Sequence, residues 1–159
     1  MTLTKNQEIE LDIDSLTSEG SGVGHFQGMA VFVAGTAAGD KISAHIIKVK
    51  KSYAIGKMLR IITPSKDRIA PDCEVFPSCG GCALRHISYE AELRTKKQRV
   101  EDAFERLAKI DIKAEEIIAA DSTSGYRNKA EYPVGFDSAS GKTLIGFYAA
   151  RSHRIIDCG

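Results

Sequence analysis

No run in this 159-residue sequence approaches the ~18 consecutive apolar residues that a membrane-crossing helix requires. The opening residues, Met1-Thr2-Leu3-Thr4-Lys5-Asn6-Gln7, lack the apolar stretch of a secretory signal. Excess charge is missing as well. Lys plus Arg number 22 against 21 Asp plus Glu, and 43% of the residues are hydrophobic, which excludes charge-driven disorder. Cysteine is sparse, with four in all, and without an export signal a disulfide framework is not their expected use. These absences leave an expectation of a soluble cytoplasmic protein, away from membranes, with one ordinary domain or two small ones.

What charge there is lies unevenly. Between Ala44 and Ala70 seven basic residues (Lys48, Lys50, Lys51, Lys57, Arg60, Lys66 and Arg68) stand against Asp67 alone. The first forty residues reverse this, with Glu8, Glu10, Asp12, Asp14, Glu19 and Asp40 against Lys5. A basic band of this kind can hold a phosphate backbone by releasing its counterions, or it can be a merely solvated surface.

Residues 8–62 read as short strands broken by glycine. Ile9, Leu11 and Ile13 alternate with acidic residues at period two, Met29 to Val33 is an apolar run, Ile42, Ala44 and Ile46 alternate again, and Tyr53 to Ile62 follows. Four or five such strands without a helical window predict a small closed barrel. Gly20-Ser21-Gly22-Val23-Gly24 is followed by a strand, not by the helix a nucleotide-binding loop needs, so a tight, bulged strand connection is expected there.

Cys73, Cys79 and Cys82 form C-x5-C-x2-C, and Cys158 lies far downstream. Three clustered thiols and a remote one can surround one metal centre, with Gly80 and Gly81 letting the backbone wrap closely. Spacing leaves zinc, with His86 as a possible nitrogen donor, beside iron–sulfur, and a redox dithiol at Cys79 and Cys82 is a third option.

From Ser88, a plausible N-cap, the pattern becomes helical to about residue 110, with Tyr89, Leu93, Lys97, Val100, Phe104 and Leu107 near one face. The pairs Glu92–Lys96, Asp102–Arg106 and Glu105–Lys109 are spaced four apart with the acid first. The expected place of this helix is over the cysteine region. The last segment predicts a hairpin, with Tyr126 to Phe136 as one strand and Thr143 to Tyr148 as the return, Pro133 confining the first to an edge. Tyr126, Phe147 and Tyr148 interleave with Arg127, Lys129, Arg151, His153 and Arg154, a mixture that suits looped or single-stranded RNA and equally a core under a basic face.

The succession of a glycine-rich small barrel, Pro64-Ser65-x-x-Arg68-x-x-Pro71-x-Cys73, Cys79-Gly80-Gly81-Cys82-x-Leu84-Arg85-His86, a helix, Tyr126-Arg127-Asn128-Lys129 and Gly146-Phe147-Tyr148 resembles the RNA uracil-C5 methyltransferases over nearly the whole chain. The resemblance implies a mainly β protein with some α: a small OB-like TRAM barrel at residues 1–63, then a smaller α+β domain at 64–159 bearing a [4Fe–4S] cluster. It implies Cys73, Cys79 and Cys82 as cluster ligands. It sets the fourth ligand two positions past Gly159, with Cys158 as the candidate inside the chain.

By the same resemblance the partner is RNA, ribosomal ahead of transfer RNA, with no DNA and no membrane. Lys48, Lys50, Lys51, Lys57, Arg60, Arg68, Arg85, Arg127 and Lys129 are the candidate contacts. The family's chemistry uses a cysteine thiolate that adds to uracil C6, a methyl group from S-adenosylmethionine and a glutamate base. No cysteine here matches that nucleophile and no cofactor-binding βα unit is present, so no catalytic residue is assigned and the chain alone is expected to be inactive, S-adenosylmethionine serving only a longer enzyme. The competing expectation is a free-standing RNA-binding or adaptor protein with structural zinc.

Overall fold

The computed structural model describes residues 3–158, and its chain divides into two compact units, Met1–Ala70 with His86–Ala119, and Pro71–Arg85 with Ala120–Gly159. The helix therefore groups with the barrel, whereas the sequence places it over the cysteines.

In the first unit the strands are β1 (Glu8–Asp12), β2 (Ser15–Leu16), β3 (Ser21–Phe26), β4 (Met29–Ala34), β5 (Lys41–Val49) and β6 (Tyr53–Thr63). They form one curled sheet in the order β1-β5-β6-β4-β3-β2, antiparallel except for the β4–β6 pair. Its two edges, β1 and β2, are consecutive pieces of the same stretch, separated only by Ile13 and Asp14. One end of that stretch pairs with β5 and the other with β3. Between them Ile13 N donates to Asp40 O (2.9 Å) and Asp14 N to Val23 O (2.8 Å). The sheet curls in this way until one bent strand run serves both edges, which hides the unpaired backbone of an open sheet.

Period two decides what fills the curl. Ile9, Leu11 and Ile13 join Leu3, Val31, Val33, Ile42, Ala44, Ile46 and Ala54 in the core, while the intervening acids face out. Gly24 shows how tight the interior is. A Cβ there would lie 2.2 Å from Asp12 O and 2.8 Å from the Leu11 side chain, so the glycine permits close approach of β1 and β3.

The helix α1 (Tyr89–Ala103) begins where the sequence predicts. Ser88 is the N-cap, its Oγ accepting from Ala91 N at 3.2 Å, and Glu90 and Glu92 occupy the first turn, where the helix dipole favours negative charge. Instead of continuing as α-helix to about 110, the chain makes a π-helical turn over Phe104–Ala108 and leaves through Lys109 in the left-handed region (φ 59°). Of the three predicted pairs, Glu92–Lys96 and Asp102–Arg106 form, and Glu105–Lys109 does not, Lys109 being the residue at which the helix ends.

The second unit carries β7 (Val134–Asp137), β8 (Lys142–Tyr148) and β9 (Ile155–Asp157), an antiparallel sheet in that order. The predicted first strand starts late. Tyr126 to Pro133 is irregular, because Pro133 has no N–H to offer a ladder and only its carbonyl takes part, accepting from Gly146 N at 3.3 Å. β9, only three residues long, carried no sequence signal.

Candidate nucleic-acid interface and cysteine loop

Lys48, Lys50, Lys51, Lys57 and Arg60 sit on β5, β6 and the turn between them, and all five are exposed. None has an ion-pair partner among the described residues. β-Pairing places Lys57 opposite His45 and Lys48 opposite Ile55, on the outward side of the sheet. Cations held on a rigid sheet without internal counter-charge are available to phosphate.

Arg68 differs, and here the structure corrects the sequence reading. Its Nε donates to Asp40 Oδ1 (2.8 Å) and its Nη2 to Asp40 Oδ2 (2.6 Å) and to Gly35 O (3.0 Å). The Arg68 side chain is 16% exposed and that of Asp40 not at all. Asp40 also accepts from Ala37 N (2.6 Å) and Ser65 N (2.9 Å). Burial alone would push the Asp40 carboxyl up, but the Arg68 guanidinium and the two amides outweigh it and hold the carboxyl below its ordinary 3.8. Arg68 is thus a framework group that fastens the segment after β6 to the β4–β5 turn.

His86 belongs to the same framework. It is 3% exposed, with Nε2 at 3.0 Å from Thr36 O. Burial lowers its pKa most, the Thr36 carbonyl opposes this, the Arg68 charge lowers it further and Asp40 raises it; the net direction is down from 6.5. The ring is anchored within the barrel unit through Nε2.

In the second unit, Arg85 grips Asp72 through Nε and Nη2 (2.5 and 2.9 Å) and also reaches the Cys82 side chain. Lys129 pairs with Glu131 at 2.7 Å, and the Arg127 guanidinium lies 5.8 Å from the Tyr126 ring centre. Arg127, Lys129, Ala130, Glu131 and Phe147 line a cleft of about 260 Å³. Tyr132 packs on Phe147 with ring centres 5.0 Å apart.

The cysteine loop folds against β8. Gly80 N donates to Tyr148 O at 2.9 Å, and a Cβ on Gly80 would lie 2.7 Å from that same oxygen. A Cβ on Gly81 would touch the Phe147 ring at 3.0 Å, and Gly81 N donates to Cys79 Sγ at 3.3 Å. Gly80 is therefore required by its approach to the hairpin backbone, and Gly81 sits close against the Phe147 ring. Cys158 follows β9, with its N bonded to Ile145 O at 3.2 Å.

All four thiols are free, Cys73 and Cys79 half-buried and Cys82 and Cys158 exposed. Free thiols in one compact unit, a glycine backbone pressed close and an N–H directed at sulfur suit a thiolate-bound metal as a donor set. Among the described residues, however, no three of these or other His, Cys, Asp or Glu side chains are gathered into a metal-holding group.

Comparison with known proteins fits this architecture. Residues 3–59 match the TRAM domain family, so the first unit contains a TRAM domain. Over 96% of its length the chain is 44% identical to a Clostridium tetani protein named "Uncharacterized RNA methyltransferase", and over 98% it is 44% identical to a likewise-named protein of Listeria monocytogenes. A Synechocystis protein, also named an RNA methyltransferase, is 37% identical over 94% of the chain. These alignments cover 33%, 34% and 32% of the respective relatives, so the chain spans about a third of their length. The chain is thus similar over nearly all its length to part of proteins named RNA methyltransferases, and its residues 3–59 match the TRAM domain.

Proposed function

We propose that this chain is the RNA-recognising portion of an S-adenosylmethionine-dependent RNA uracil-C5 methyltransferase acting on ribosomal RNA. Methyl transfer itself is assigned to polypeptide outside these residues. The observation that carries the reading is the exposed, unpaired cation set Lys48, Lys50, Lys51, Lys57 and Arg60 on a TRAM barrel. Those side chains hold phosphates and set the orientation of the RNA, and Arg127 and Lys129 are the second unit's own candidate contacts, beside Phe147. A target base drawn out of its loop is then delivered to the catalytic part.

A [4Fe–4S] cluster on Cys73, Cys79 and Cys82, with Cys158 or a later cysteine as fourth ligand, supplies when bound a rigid thiolate-linked tie within the second unit. The chain's own contribution is already visible. Gly80 and Gly81 bring the loop backbone close to Tyr148 and Phe147, and Gly81 N–H donates to Cys79 sulfur. The rival reading puts structural zinc on the same thiols.

The test is a paired measurement on anaerobically purified protein. Iron and sulfide analysis with a visible spectrum should show a coloured, iron-containing product, and Cys79→Ser should lose it; one zinc and no iron would support the rival. RNA affinity measured against salt should fall steeply, with a log–log slope of roughly −0.7 per phosphate contact for a single strand. A flat dependence would refute the phosphate grip.

A further inference from the structure

The outer face of the barrel carries a row of side chains that the core does not need. Val31 and Val33 are fully buried, so Phe32 between them points away from the interior. Strand register aligns Val23, Phe32, Ile55 and Lys48 across β3, β4, β6 and β5, and sets Ala30 beside Tyr53 in the neighbouring row. The Phe32 and Tyr53 rings meet edge to face, centres 5.6 Å apart at 79°, and both are only half-buried. Two exposed-side aromatics are thus held in a fixed mutual orientation by a parallel strand pair.

Cations border this pair. Lys48 ends the row on β5, Lys57 lies two positions beyond Ile55 on the same face of β6, and Lys50 and Lys51 stand in the turn where Lys50 N bonds to Tyr53 O at 2.8 Å. Three acids of the barrel are engaged elsewhere: Glu8 with Ser43, Glu10 with Lys41 and Asp14 with His25. The patch is therefore aromatic at its centre and positive at its rim.

We infer that this row is a seat for an unpaired RNA segment, whose bases stack on Phe32 and Tyr53 while its phosphates run along Lys48, Lys50 and Lys57. A stacked duplex offers phosphates but no free base faces, and so leaves the aromatic centre unused. The inference rests on RNA being the partner and adds which form of RNA the barrel accepts and which residues distinguish it.

The experiment titrates the 159-residue chain with labelled oligouridylate of about eight nucleotides, within the site size of one small barrel, and with an RNA duplex of equal length. Tyr53→Leu and Phe32→Leu should each weaken single-strand binding by roughly 5- to 150-fold, the range set by one base–aromatic stack, with an unchanged salt slope. Tyr53→Phe should retain binding. Lys50→Gln should instead lower the slope by about one.

Thermal melting selects variants that remain folded; if Phe32→Leu melts early, the Tyr53 pair of substitutions decides. Parent-like binding by folded leucine variants overturns the inference, as does equal or better binding of duplex, or displacement of oligouridylate by an acidic peptide of lower charge. A parent chain that binds no RNA of either form overturns the proposed function together with this inference. RNA binding that ignores Tyr53 and Phe32 overturns this inference alone.

Discussion

Replacing Arg68 by alanine is the sharpest test of how the barrel unit is held together. The substitution leaves the Asp40 carboxylate, whose side chain has no exposure, facing the space vacated by a guanidinium that made two bonds to it at 2.6 and 2.8 Å. Removing one partner of a buried ion pair costs about 3–5 kcal/mol, because the remaining charge stays desolvated. Asp40 keeps the amides of Ala37 and Ser65, which places the expectation near the lower end, about 3 kcal/mol. For a chain of this length that corresponds to a fall in Tm of roughly 6–12 °C by circular dichroism.

The sign of the pH dependence is a second check. In the parent the Asp40 pKa is held below its ordinary 3.8, so its stabilisation is complete above that value and is lost as pH falls through the lower folded value. In Arg68→Ala the lowering partner is gone and burial raises the carboxyl, so the deficit should shrink as acid protonates Asp40. Asp40→Asn should cost less, because the orphaned guanidinium can reach water. The reasoning fails if Arg68→Ala melts within about 1 kcal/mol of the parent, and it fails decisively if such a variant loses RNA affinity instead.

Three further outcomes follow from the same geometry. The folded pKa of His86 is depressed, so its contribution is complete above about 6.5 and is lost as pH falls below that; Tm should drop from about pH 7.5 to about 5.5 and drop less in His86→Gln, and equal slopes would contradict this. Gly24→Ala forces a Cβ to within 2.2 Å of Asp12 O, which is backbone and cannot rotate away, and should destabilise by about 1–3 kcal/mol in urea unfolding. Gly146→Ala, with its Cβ 1.8 Å from Ile156 O, should open the β8–β9 pairing, read as faster amide exchange at Phe147 and Ile156, while amides of the barrel core such as Val31 keep their protection.

Much of the barrel was legible in the residues. The alternation of Ile9, Leu11 and Ile13 with acids, the runs around Val31 and Ile46, and Ser88 ahead of the helix each express a rule that acts over a few neighbouring residues: side-chain period in a strand, or an oxygen placed to meet a free amide. The cysteine spacing was legible for the same reason, and so was the basic character of residues 44–70.

Other features depended on which distant segments meet. Whether Arg68 is a surface cation or a buried counter-ion depends on Asp40, 28 positions earlier, being carried to it by the β4–β5 turn. Phe32 is one letter in an apolar run until strand register shows that Val31 and Val33 take the interior and leave it outside, next to Tyr53. The grouping of the helix with the barrel and the late start of β7 behind Pro133 are of the same kind. Local chemistry writes periods and caps into the chain, but the fate of a charge or an aromatic ring is set by the long-range contacts that bury one face and leave the other to solvent.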